Sequence, residues 1–159
     1  MANEVKDLFG STLAITINCS TLPSSTNLII GRSGTMVTNM TRRYQDVMLY
    51  VKLLTGASAV PNKTAMVYLV RGDSHATPHR SDGIASIGAT VTTWNAQPIL
   101  MMANRRATQA AAYNIYGECL INRPGPKWGV IVAHNMTKAL AVGTTNHYVR
   151  FVGMNPEVQ

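Results

Sequence analysis

A chain of 159 residues is the size of one domain and buries a real core without disulfide or metal staples. Charged residues make up only 13%, below the roughly 25% usual for globular proteins, and Thr, Ala, Asn, Gly and Ser fill the gap. The net charge of +7 invites a nucleic-acid partner, but no Lys/Arg run exceeds the pairs Arg42-Arg43 and Arg105-Arg106, and no aromatic-basic ladder, helix-turn-helix or zinc-finger spacing accompanies them, so direct nucleic-acid binding is not expected.

The first residues carry Glu4 and Asp7 where a signal peptide is basic, so no secretory leader is expected. No apolar run approaches the length of a membrane span, so no membrane partner is expected. Residues 1–10 have little core of their own and read as an N-terminal arm ahead of one domain over 11–159. Thr12 to Asn18 alternates, with Leu13, Ile15 and Ile17 on one face, and predicts a half-buried strand. The Ser/Thr/Pro cluster from Ser20 to Thr26 predicts a turn. Leu28 to Ile30 is a short apolar run stopped by Gly31, and Gly34 to Asn39 reads as another short strand.

Tyr44 to Leu54 is the clearest strand. Val47, Leu49, Val51 and Leu53 face one way, while Asp46, Met48, Tyr50 and Lys52 face the other. A helix would set Asp46, Tyr50 and Lys52 among core positions. After a turn at Pro61, Thr64 to Val70 returns as a strand rich in β-branched and aromatic residues. Arg71 to Gly83 is long and polar and predicts an exposed loop. Ile84 to Thr93 and Pro98 to Ala103 read as strands. Arg105 to Tyr116 has helix-favouring alanines, yet Tyr113, Ile115 and Leu120 favour strand. Pro124-Gly125-Pro126 then punctuates the chain. Lys127 to Val132 and Asn146 to Gly153 read as the two arms of a closing β-hairpin. Short strands every eight to twelve residues, with turn chemistry between, predict an all-β fold: a single antiparallel β-sandwich, jelly-roll-like.

Chemistry is weakly signalled. His75 and His79 have a zinc-compatible spacing, but Pro78 opposes the helix that would align them, so no metal is expected. Arg71-Gly72-Asp73 spells an integrin-binding tripeptide without any extracellular context. No nucleophile elbow or phosphate loop occurs, and seven acids offer no favoured pair, so neither an enzyme nor a cofactor is expected. Cys19 and Cys119 are too few for a disulfide scaffold and read as buried thiols. Trp128, beside Gly129, reads as a core or subunit-interface anchor, and Trp94 as a strand-end ring. The scarcity of acids points the positive charge at an acidic protein surface.

The opening Leu8 to Ile17, the strand Tyr44 to Lys52 and the ending Pro126 to Val132 with Asn146 to Gly153 resemble small structural proteins of tailed bacteriophage particles. The resemblance implies a β-sandwich or jelly-roll protein that decorates and cements the outside of a capsid. Its partner would be the major capsid protein, its state a homo-oligomer with a trimer favoured, and its place the virion, assembled in the host cytoplasm. The candidate interface residues are Arg42, Arg43, Trp94, Arg105, Arg106 and Trp128. Two alternatives stand beside it: a tail or baseplate component, and a carbohydrate-binding module that uses Trp94 or Tyr50 as a stacking platform.

Overall fold

The computed structural model describes residues 5–75, 80–81, 90–92, 95–104 and 111–158. Apart from a short 3-10 turn at Thr144–Asn146, every regular element in them is a strand. In chain order these are β1 Val5–Phe9, β2 Leu13–Ile15, β3 Ile30–Ser33, β4 Val37–Thr38, β5 Asp46–Leu54 and β6 Lys63–Gly72. There follow β7 Thr90–Thr92, β8 Gln97–Asn104, β9 Asn114–Asn122, β10 Lys127–His134 and β11 Tyr148–Val158.

The strands form two antiparallel sheets packed face to face. Sheet I runs β1-β11-β5-β9, with β2 also on β11; sheet II runs β7-β3-β10-β6-β8, with β4 also on β10. The pairing is nested: β2 with β11, β3 with β10, β5 with β9 and β6 with β8. The first half of the chain therefore lies strand by strand against the second half, and the doubled chain wraps from one sheet to the other. That is the strand order of a jelly roll. The all-β sandwich expected from the sequence is the fold observed.

The closing hairpin does not form. β10 lies between β3 and β6 in sheet II, while β11 lies between β5 and the β1/β2 edge in sheet I. Both strands already have a hydrogen-bonded neighbour on each side, so residues 135–147 carry the chain across the sandwich instead. The two strands meet through side chains: Trp128 and Phe151 touch edge to face, with ring centroids 5.0 Å apart.

Burial explains the two strand patterns. Sheet I is covered on one face only, so β5 alternates, with Val47, Leu49, Val51 and Leu53 inside. Sheet II is buried on its inner face and over the middle of its outer face, while Met101 of β8 stays 64% exposed. Its inner face meets sheet I, and its outer face carries a second cluster in which Val91 and Ala96 pack on Val70 and Ile131. β10 is accordingly buried along nearly its whole length and reads as a continuous apolar run.

Other boundaries also shift. Gly31 does not stop a strand; it lies inside β3, where a Cβ would come within 2.7 Å of the Ile131 side chain and of the Val132 carbonyl oxygen. Only Leu13–Ile15 of the first predicted strand pairs, because the next residue turns to Thr35: the Thr35 amide donates to the Thr16 carbonyl at 2.9 Å. Only Val37–Thr38 pairs within the Gly34 to Asn39 run. Arg71 and Gly72 belong to β6 rather than to a loop, and Arg80 bridges back to Gly72. The N-terminal arm is, over Val5–Phe9, a strand paired with Met154–Val158. Of the predicted strand Ile84 to Thr93, residues 84–89 and 93 lie outside the described residues.

Candidate functional site

The outer face of sheet I is open and presents a platform of exposed and half-buried side chains. Three long strands put their outward residues in register. Val152, Met48 and Leu120 form one row; Arg150, Tyr50 and Glu118 the next; Tyr148, Lys52 and Tyr116 a third. Tyr116 is 62% exposed and Leu120 49%. Arg150 sits over the Tyr148 ring at 4.5 Å, which holds the cation flat against the sheet. Tyr50, Tyr116 and Tyr148 border a shallow depression of about 320 Å³ beside Glu118. Rows of apolar and aromatic side chains on a rigid sheet, framed by both signs of charge, suit a protein contact.

A second feature lies at the end of sheet I where β5 begins and β9 ends. Arg43 and Arg123 flank a depression of about 530 Å³ whose walls include Met40, Tyr44 and Pro126. Among the described residues no carboxylate lines it. Its floor is built by Asn39, which is buried and ties two loops together. The Asn39 side-chain amide donates to the Tyr44 carbonyl at 3.0 Å and to the Gly125 carbonyl at 3.2 Å. Its side-chain oxygen accepts from the Tyr44 amide at 2.9 Å. The Arg43 amide donates to the Asn39 carbonyl, and the Arg123 amide to the Gln45 carbonyl, each at 2.8 Å. Both arginines have left-handed backbones, φ 50° and 48°. That conformation costs an ordinary L-residue roughly 1–2 kcal/mol, so the loops hold these two cations in place against a local preference. Arg42 lies alongside and donates to the Tyr44 hydroxyl at 3.0 Å.

The sequence-predicted interface residues separate on this structure. Arg42 and Arg43 are exposed on the loop just described. Trp128 is fully buried between the sheets, so its ring belongs to the core and reaches no partner. Trp94, Arg105 and Arg106 lie outside the described residues, as do His79 and Asp82. His75 is exposed, and its amide donates to the Asp73 carboxylate at 3.0 Å. Among the described residues no three His, Cys, Asp or Glu side chains gather as metal ligands do. Sequence reasoning passed over Arg123, Arg150, Tyr116 and Leu120. Continuing the period-two pattern through β9 would have found the last two.

The two cysteines and the two buried histidines belong to the fold. Cys19 and Cys119 are both free; Cys19 is buried, which pushes its thiol up to about 12 although Arg32 pulls it the other way, whereas Cys119 is half-buried rather than the buried thiol expected. His134 and His147 are buried and use their rings as staples. His134 Nε2 lies 2.9 Å from the Leu22 carbonyl and its Nδ1 faces the Met136 amide. His147 Nε2 lies 2.9 Å from the Ala141 carbonyl and its Nδ1 accepts from the Leu54 amide. Burial lowers the pKa of both. No helix among the described residues is long and apolar enough to cross a membrane.

No protein-family model matches the sequence, and no curated protein matches it.

Proposed function

We propose that this chain is a structural protein of a virus particle, bound to the outside of the capsid and reinforcing it. The observation that carries the reading is the outer face of sheet I, which is left open with Met48, Tyr50, Tyr116, Leu120 and Val152 in register, while the outer face of sheet II is buried around Val70 and Ile131 within the chain itself. Jelly rolls recur in viral capsid and lectin domains, a fold-level analogy that agrees with the phage resemblance of the sequence. The partner is the major capsid protein. Seating this face across capsid seams adds buried area that opposes outward pressure. As a trimer the protein engages several equivalent sites and gains avidity from weak single contacts. The test is sedimentation of particles with added protein. Wild type should pellet with them, and Tyr116→Lys with Leu120→Lys should stay in the supernatant with its melting temperature kept. Equal pelleting of both would remove this face from the account.

A second reading rests on the same face. Three tyrosines bordering a shallow depression with Glu118 beside them suit a sugar, whose faces stack on rings and whose hydroxyls donate to a carboxylate. Binding on a glycan array that is lost in Tyr50→Ala would favour it over a protein contact.

A further inference from the structure

The loop depression between Arg43 and Arg123 differs from the open sheet face in shape and in charge. Arg43 and Arg123 both line one hollow of about 530 Å³, the Arg43 Nε donating to the Met40 carbonyl at 3.4 Å, and among the described residues no acid lines it to neutralise them. The nearest acid along the chain, Asp46, pairs in register with Asn122 and Met154 on the outer face of sheet I. The hollow's shape is not left to chance: Asn39 fixes both loops by three side-chain hydrogen bonds, so neither arginine backbone needs to order on binding. Of the seven left-handed non-glycine residues described, the two charged ones are Arg43 and Arg123, and both border this hollow. Strain of this kind persists where the surroundings impose it, and it clusters at ligand sites. Met40 is 43% exposed at the rim, and Tyr44 and Pro126 add apolar wall.

We infer that this hollow is a binding site for a carboxylate-bearing segment of a partner protein, with acidic side chains on Arg43 and Arg123 and apolar ones on Met40 and Pro126. Arginine is suited to this because its planar fork meets a carboxylate with two parallel hydrogen bonds. A nucleic-acid strand would ask for something else, cations repeated along a track with bases stacked on aromatic faces. Here two cations border a single hollow, and Tyr44 is occupied. Its hydroxyl takes a hydrogen bond from Arg42 and its ring lies over Gly153. The site goes beyond the particle reading, and its test needs no particle.

The purified chain is titrated against a fluorescein-labelled glutamate–leucine peptide and, separately, against a labelled oligothymidylate of equal charge, with anisotropy as the readout. The variants are Arg43→Asn and Arg123→Asn. Asparagine tolerates the left-handed backbone, so each should melt no lower than wild type while losing its charge. The expected result is peptide binding that weakens with salt, weakens about tenfold in each variant, and is unchanged in Arg150→Gln on the sheet face. Peptide affinity unchanged in both asparagine variants overturns the inference, as does no peptide binding at low salt. Tighter binding of the oligothymidylate, lost in the same variants, overturns it in favour of a polynucleotide site. Failure of sheet-face variants on particles leaves these outcomes untouched, so the two readings fail separately.

Discussion

Trp128 of β10 and Phe151 of β11 meet edge to face across the sandwich, their planes at 77°. The contact joins the central strands of the two sheets, and both rings are buried. Trp128→Ala should therefore cost about 3–5 kcal/mol, much of the 5–15 kcal/mol that holds a typical domain together. Among the described residues Trp128 Nε1 has no hydrogen-bond partner, so Trp128→Phe gives up an unpaired polar group along with volume and should cost less. Urea denaturation of the two variants checks the order. A loss below about 1 kcal/mol for Trp128→Ala would place the ring outside the core.

His134 and His147 give the fold a pH dependence with a definite sign. Each ring has Nδ1 facing a backbone N–H and Nε2 on a carbonyl, an arrangement that fits the neutral ring protonated at Nε2. A second proton would set N–H against N–H, and burial adds to the penalty by lowering both pKa values. The unfolded chain titrates near 6.5. Below that pH it takes up protons that the folded chain refuses, so stability falls as pH drops, by up to about 1.4 kcal/mol per pH unit for each ring until the folded rings protonate. Above the unfolded pKa these rings contribute no slope. Denaturation midpoints between about pH 7 and pH 5.5, before most carboxylates titrate, should decline. A flat profile there would contradict the buried neutral rings.

Gly153 lets the Tyr44 ring lie directly on the β11 backbone. A Cβ at that position would run into the ring carbons. Gly153→Ala should cost about 1–3 kcal/mol by overpacking and push Tyr44 away from Arg42. In a Tyr44→Ala background the same substitution should cost much less, because the obstacle is gone. Thermal melts of the four proteins give the coupling, and simple additivity would show that the ring is not what the glycine accommodates.

Asn39 closes two loops with one side chain. Asn39→Ala removes three hydrogen bonds and leaves their backbone partners unsatisfied, at a cost of about 2–4 kcal/mol. Asn39→Asp keeps the acceptor for the Tyr44 amide but sets a carboxylate against two carbonyls, and should cost at least as much at neutral pH. A melting temperature unchanged in both would mean that the loops hold their shape by other means.

The sequence makes some of this legible and hides the rest for physical reasons. Strict alternation from Val47 to Leu53 identifies a one-face-buried strand, and β5 is that strand. Continuous burial of β10 erases alternation, because the cluster that Ile131 joins on the outer face of sheet II is invisible in the local pattern. Partners are harder still. Lys127 to Val132 and Asn146 to Gly153 are strand-like, but local composition does not say that the chain between them crosses the sandwich. Trp128 is equally large in a core or at an interface, and only the position of Phe151 decides. Arg123 stands alone before Pro124-Gly125-Pro126, and its partner in the hollow, Arg43, is 80 residues away along the chain. No linear motif could pair them; the Asn39 bridge does.

The most direct test of the account is to image purified particles labelled with an antibody against this chain. The account predicts label at regular positions over the head. Label confined to the tail, or none on any particle, would contradict a capsid-reinforcing role.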